Sequence, residues 1–481
     1  MSNLSDLLPA GAGGKQVNFV ATGTLSSGQT VILKADGTVS TITEAVEGAG
    51  TPTVFESAVS DYNSATFDST NNKVVIAYRD GGNSFYGTAV VGTVSGTAIS
   101  FGTPVVFNSA STTRISATYD STNGKIVIAY RDDGNSFYGT AVVGTVSGTA
   151  ISFGTPVVFE SATSNENSAT YDSTNNKIVI AYQDNSNLSY GTAVVGTVSG
   201  TSISFGTPVV FESAKATFIS ATYDSTNNKV VIAYTDVGNA DYGTAIVGTV
   251  SGTSISFGTA VVFESATSYY ISATFDSTNG KVVIAYRDNG NADYGTAVVG
   301  TVSGTAISFG TPVVFESGYS LYISATYDST NNKVVIAYRD NGNADYGTAV
   351  VGTVSGTAIS FGTPTVFESA TSNYISATYD STNNKVVIAY RDVGNADYGT
   401  GVVFTVGFSD NTDFIGITDA AISSAASGSV TIKGGISSNV TGLTPNLTYY
   451  VQADGSLSTT ASSVLAGKAL SSTSINLDYT T

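Results

Sequence analysis

The sequence predicts an all-β protein: a seven-bladed β-propeller of 52-residue repeats, closed by an N-terminal strand and inserted in a small β-domain made of both flanks. Three observations carry that expectation. A tract typified by ATYDSTNNKVVIAYRD returns with its central tyrosine at Tyr78, Tyr130, Tyr182, Tyr234, Tyr286, Tyr338 and Tyr390. Tyr390 lies 312 positions after Tyr78, six intervals of 52, so no unit has gained or lost a residue. Each unit holds short alternating or β-branched runs between turn residues, and no stretch has helical periodicity. A repeat of this size built from strands marks a radially closed or stacked β array.

In the fifth unit the runs are 271–275, 281–286, 295–302 and 306–315, the last continuing into the next unit. Residues 276–280 (DSTNG) have tight-turn composition, and 303–305 (SGT) are a hairpin signal. A linear stack would need atypical capping units, yet the first and last units keep their core strands. The first three strands recur from about residue 64 to residue 407, but only six fourth strands lie between them. The seventh, residues 51–56 (TPTVFE), precedes the first unit. It would complete the last blade and latch the ring.

The flanks, 15–45 and 411–481, alternate and turn at Gly and Asp, so both read as β. A closed array brings its entry and exit together. The expected divisions are therefore 1–45 and 410–481, pairing as one small β-domain, with the propeller at 46–409.

Composition removes whole classes of chemistry. The 481 residues include no cysteine and no histidine, which excludes disulfides, thiolate or imidazole metal sites and histidine-based triads. Tryptophan is absent, while Tyr (28) and Phe (22) are plentiful. With 18 basic against 36 acidic residues the net charge is −18, which repels phosphate backbones and argues against nucleic acid. Charged residues make up only 11%, a balance that suits a rigid extracellular β surface. The N-terminus has no basic segment followed by a long apolar one, so no signal peptide is read. No apolar run is long enough to cross a bilayer, so membrane insertion is not expected.

The flank motifs resemble segments of virion proteins from tailed bacteriophages, notably those of marine bacteria and cyanobacteria. The likeness rests on 19–23 (FVATG) and 31–37 (VILKADG) at the front. At the back it rests on 414–417 (FIGI), 442–445 (GLTP), 449–455 (YYVQADG), 458–460 (STT) and 466–470 (AGKAL). It covers roughly a fifth of the chain and brings no catalytic residues with it. It implies a tail-fibre or appendage protein, assembled in the host cytoplasm and extracellular after lysis. Other virion proteins would be its partners, and the small domain would fix it to the particle or mediate homo-oligomerisation. No heptad pattern accompanies that expectation.

The repeats are nearly identical, and their turns and links differ freely on one face only. In a propeller the first-to-second and third-to-fourth turns share one face, and here both hardly change. The opposite face carries the second-to-third turn and the inter-blade link, and both vary. One link position reads Tyr62, Arg114, Glu166, Phe218, Tyr270, Tyr322 and Tyr374; the residue before it reads Asp61, Thr113, Asn165, Thr217, Tyr269, Leu321 and Asn373. The turn carries Phe85, Phe137, Ser189, Asp241, Asp293, Asp345 and Asp397. The second strand ends in Arg79, Arg131, Arg287, Arg339 and Arg391, with Gln183 and Thr235 in the remaining two units.

Loops drift when they bear little structure, but only one loop face has drifted. Exposed aromatics among short polar side chains suit a glycan, with flat faces for C–H groups and polar groups for hydroxyls. The candidate ligand-binding residues are Tyr62, Arg114, Phe218, Tyr269, Tyr270, Tyr322, Tyr374, Phe85 and Phe137. The competing use of these aromatics is packing against neighbouring blades.

Enzymatic alternatives are weak. Paired carboxylates could hydrolyse a glycoside, but Asp68, Asp120 and the Asp80, Asp132, Asp184 series recur in every unit. An active site needs asymmetry, and a recurring Asp is more simply an Asx-turn. Calcium is also disfavoured: D-x-G-N-A-D in units four to seven, as at Asp288, Asn291 and Asp293, offers too few carboxylates and fits a turn better. No enzyme, cofactor or metal is expected. A host-surface glycan is the expected partner, with a purely structural decoration protein as the alternative. A secreted adhesin is a third reading, disfavoured by the unread signal peptide.

Overall fold

The computed structural model describes residues 15–409 and 411–477. The chain divides into two compact units, Glu47–Val406 and the paired flanks Met1–Val46 with Gly407–Thr481.

Within Glu47–Val406 the repeats fold as four-stranded antiparallel blades. In the first, residues 60–68 pair with Lys73–Asp80, which pairs with Tyr86–Ser95. That third strand pairs outward with Ala98–Phe101 and then with residues 105–108. The pattern recurs around Lys125–Asp132, Lys177–Asp184, Lys229–Asp236, Lys281–Asp288, Lys333–Asp340 and Lys385–Asp392. The second strand is sealed on both faces, with Val74, Val75, Ile76, Ala77 and Tyr78 all fully buried. That is why KVVIAY reads as a continuous apolar run rather than an alternating one.

Blade-to-blade packing uses the same parts each time. Phe107 meets Tyr130 with ring centroids 5.2 Å apart and occupies the space beside Gly87, where a Cβ would lie 2.5 Å from its ring. Each such buried aromatic contributes about 1.5–3 kcal/mol, so the junctions are held chiefly by apolar burial.

The fourth strand differs from the sequence expectation of an unbroken 306–315. Ala306–Phe309 ends, and Val313–Asp328 begins after a break. Pro312 has no N–H for the ladder. Gly310 lies so close to the next unit that a Cβ would sit 1.9 Å from the Thr357 carbonyl oxygen. Val313–Asp328 then serves two blades: its first part pairs with Tyr294–Ser303 and its second with Lys333–Asp340. The inter-blade link is therefore a strand rather than a loop, with a bulge between Leu321 and Ser324. At the other end of the array, Tyr398–Thr405 takes its outer partner from before the first repeat. Gly401, Thr400 and Gly399 pair with Thr53, Val54 and Glu56.

The flanks share one sheet, ordered Val39–Thr41, Thr30–Leu33, Phe414–Thr418, Ser427–Ile432, Gln16–Val20. A second sheet is ordered Leu457–Ser458, Thr448–Val451, Leu465–Ala469, Ile475–Leu477, Ile436–Ser437. The two have one design. Both hairpins turn through Ala-Asp-Gly, with Gly37 at φ 81° and Gly455 at φ 82°. Asp36 and Asp454 each accept from the N–H two residues on, at 3.0 and 2.8 Å. Register shifts fall at matching places, Val31/Ile32 and Tyr449/Tyr450. One motif is used twice. The repeat array lies between the hairpin and the third strand of the first copy, where the second copy has a short connection. Phe408–Ser409 pairs with Glu44–Ala45, so the flank unit begins before residue 410, where the sequence suggests the boundary.

Candidate functional site

The unvarying face is occupied with holding itself together. Asp68 Oδ1 accepts from the N–H groups of Thr70 and Asn71, both at 3.0 Å, while Oδ2 accepts from Asn71 Nδ2 at 2.8 Å. The same arrangement recurs at Asp120, Asp172, Asp224, Asp276, Asp328 and Asp380. Adjacent turns are tied by Tyr119 Oη donating to Thr70 Oγ1 at 2.6 Å, with counterparts at Tyr171, Tyr223, Tyr327 and Tyr379. These aspartates are turn-formers whose oxygens are already taken.

A second carboxylate series lies between blades. Tyr286 donates to Glu264 Oε2 at 3.0 Å, and burial raises both Glu264 and Asp288 above the usual carboxylate range. Each of these two acids also repels the charge of a neighbour, Asp288 in the case of Glu264 and Asp293 in the case of Asp288. The equivalent of Glu264 in the second unit is Asn108, which donates instead to Asp132 at 3.1 Å and leaves the buried Tyr130 hydroxyl without a partner.

On the varying face, Tyr62, Arg114, Glu166, Phe218, Tyr270, Tyr322 and Tyr374 all sit at the bulge with left-handed φ between 48° and 53°. A non-glycine residue there costs about 1 kcal/mol or more, so packing must hold each one. Phe218 meets Tyr270 at 5.3 Å, Tyr270 meets Tyr322 at 5.5 Å, Tyr322 meets Tyr374 at 5.2 Å and Tyr374 meets Tyr62 at 5.1 Å. Arg114 lies 5.7 Å over Tyr62 and pairs with Glu166 at 3.0 Å. Glu166 Oε2 accepts from the Phe218 N–H at 3.2 Å, which completes the circuit. These side chains are half-buried and tile one another, whereas the sequence suggested exposed platforms.

The second-strand arginines form a row beside this circuit. Arg79 stacks over Phe85 at 4.8 Å, Arg131 over Phe137 at 5.3 Å and Arg391 over Tyr374 at 5.3 Å. Asp61, 3% exposed, accepts from Arg79 and from Arg391 of the adjoining repeat, the latter at 2.6 Å. Asn165 and Asn373 accept from Arg131 and Arg339 in the same way, each at 2.6 Å.

The turns above the arginines differ around the array. Phe85 and Phe137 are 45% and 46% exposed, and Leu188 in the next unit is 75% exposed. The later units carry Asp293, Asp345 and Asp397, which lie 3.2–3.3 Å from the Nε atoms of Arg287, Arg339 and Arg391. Asp288 caps its turn by accepting from the Asn291 N–H. Among the described residues no cluster of three or more acidic side chains could hold a metal. Leu188 and Tyr319 escape the sequence reading, although comparison of the repeats could have found both. Tyr319 stands where the other units have Val59, Ser111, Thr163, Lys215, Thr267 and Thr371.

No family model matches the chain, and no curated protein matches its sequence. Among solved structures, it is similar to the BP39L lectin of Burkholderia pseudomallei, with a TM-score of 0.55 at 10% identity, covering 74% of this chain and 98% of that one. The β-propeller domain of Cps50 (Swd1) of Myceliophteria thermophila matches at TM-score 0.47 and 8% identity, covering 74% and 100%. A leech intramolecular trans-sialidase matches at TM-score 0.42 and 10% identity, covering 74% and 68%. At this identity the BP39L likeness speaks to the fold alone. The propeller character of the array rests on its own pairing, in which Tyr398–Thr405 of the last repeat joins Thr53–Asp68, the strand that leads into the first.

Proposed function

We propose that the protein is a non-enzymatic carbohydrate-binding protein of a tailed-phage particle. In this reading the array is a closed propeller of seven 52-residue blades. Its link-and-turn face meets a glycan on the host surface, and the flank unit connects it to other virion proteins.

One observation carries the binding role: the two faces have different occupations. Turn residues on one face spend their polar groups on each other, from Asp68 to the Tyr119–Thr70 bond. The other face leaves Phe85 and Phe137 exposed beside stacked guanidiniums, with Leu188 exposed in the next unit. Aromatic faces next to hydrogen-bond donors are what a sugar needs. The lectin likeness fits this reading at the level of fold, and the phage setting is supported by the resemblance of the flank motifs alone.

A purely structural decoration protein is favoured by one specific feature, the packing of Tyr270, Tyr322 and Tyr374 against one another. The deciding experiment applies purified full-length protein to a glycan array and to intact candidate host cells. A folded Phe85→Ala, Phe137→Ala variant runs beside it. Saturable binding by the wild type supports the glycan role, and weakening in the variant would place the ligand at Phe85 and Phe137. A folded wild type that binds neither glycans nor cells points to structural decoration.

A further inference from the structure

Arg287 differs from the other arginines of its row. It is 8% exposed and lies against three tyrosines, 4.4 Å from the ring centroids of Tyr269 and Tyr319 and 5.2 Å from that of Tyr270. In the rest of the row a terminal guanidinium nitrogen reaches a side-chain acceptor. Arg131 has Asn165, Arg339 has Asn373, and Arg79 and Arg391 share Asp61. At the position that matches Asn165 and Asn373 stands Leu321, whose side chain offers no acceptor. Among the described residues no hydrogen bond reaches its Nη1 or Nη2. Its buried Nε lies 3.3 Å from Asp293 Oδ1 without donating to it, a state it shares with Arg339 beside Asp345 and Arg391 beside Asp397, so the free Nη1 and Nη2 are what set it apart. Nη1 and Nη2 are not among the buried unpartnered atoms, so they lie where an acceptor from outside can reach them. An acceptor bound to a charged donor is worth more than one bound to a neutral donor.

Resting on the glycan reading above, we propose that this junction, walled by Tyr269 and Tyr319 with Arg287 between them, is the principal sugar subsite. The ligand class is a neutral pyranose. Two adjacent ring hydroxyl oxygens would accept from Arg287 Nη1 and Nη2, while the C–H face of the ring lies on Tyr319, which is 36% exposed. Charge decides against an acidic sugar. Asp293 already stands beside the guanidinium, and a net charge of −18 disfavours an anionic approach. Tyr319 is found in this unit alone, so the subsite is single rather than repeated in every blade.

The test uses the full-length protein and calorimetric or saturation-transfer NMR titration with the methyl glycosides of mannose, galactose, glucose and fucose, and with glucuronic acid. Leu321→Asn supplies the internal acceptor that Arg131 and Arg339 already have. It should weaken binding about tenfold or more, the worth of a charge-assisted hydrogen bond, with no loss of melting temperature. Tyr319→Thr, the residue of three other units, should weaken binding as well.

A neutral glycoside that binds wild type and is lost in Leu321→Asn supports the subsite. Equal binding to both proteins, or binding of glucuronic acid alone, overturns it. If cells or polysaccharides bind wild type and Leu321→Asn equally, the subsite falls and the glycan role stands. If nothing binds, both fall.

Discussion

Ser376 Oγ accepts a hydrogen bond from the backbone N–H of Ala65 at 2.9 Å, across 311 positions of chain. The same bond joins Ser64 to Ala117, Ser116 to Ala169, Ser168 to Ala221, Ser220 to Ala273, Ser272 to Ala325 and Ser324 to Ala377. Every first strand is thus tied to the next, and the last to the first. Removing one such hydroxyl should cost about 1 kcal/mol. In a closed ring, Ser376→Ala costs as much as Ser220→Ala in urea denaturation. An array open at that junction would make Ser376→Ala silent.

Asp61 holds two arginines from neighbouring repeats, so Asp61→Ala leaves both without their carboxylate. The expected loss is about 3 kcal/mol. Asp61→Asn should cost much less, because Asn165 and Asn373 already accept from an arginine at that position. Chemical denaturation of the two variants checks the ordering. Equal losses would mean that the carboxylate charge, rather than the acceptor, is what the junction needs.

Most of the array could be read from the sequence because 52-residue periodicity and turn chemistry are local properties. Asp68 in its turn and Lys73–Asp80 as a sealed strand are examples. The left-handed bulge at Tyr322 could not be read, since a tyrosine carries no signal for positive φ; tertiary packing imposes it. For the same reason the aromatics at 270, 322 and 374 read as exposed in the sequence, although each ring covers its neighbour. The duplicated flank motif was legible in VILKADG and YYVQADG, which sit at equivalent turns. The array inserted between the strands of the first copy hides that correspondence.

Glu264 and Asp288 give a pH dependence of definite sign. Burial raises both in the folded state, so the native protein holds these protons more tightly than the unfolded chain. Their contribution is fully present below the ordinary carboxylate value of about 4 and is lost as pH rises through the raised values. Glu56 with Asp80, Glu212 with Asp236 and Glu368 with Asp392 add in the same direction. Melting temperature of the array should therefore fall from mildly acidic to neutral pH. Glu264→Gln should flatten part of that slope, and an unchanged slope would exclude these pairs as its origin.

Tyr130 has a buried hydroxyl with no partner, where six other units use a Glu. Asn108→Glu restores the acceptor but places a second acid beside Asp132. It should stabilise by about 1 kcal/mol at mildly acidic pH and by less at neutrality, as paired thermal melts would read. Stabilisation that is the same at both pH values would mean that the introduced carboxylate and Asp132 do not sense each other.

Hydrogen–deuterium exchange of the full-length protein, with and without a saccharide selected on the array, tests most directly which face binds. Protection is expected at the link and second-to-third turns, above all around residues 267–270, 287–293 and 319–322. The Asp68, Asp120 and Asp172 turns should be unchanged. Protection confined to those turns or to the flank unit would contradict a binding role for the varying face.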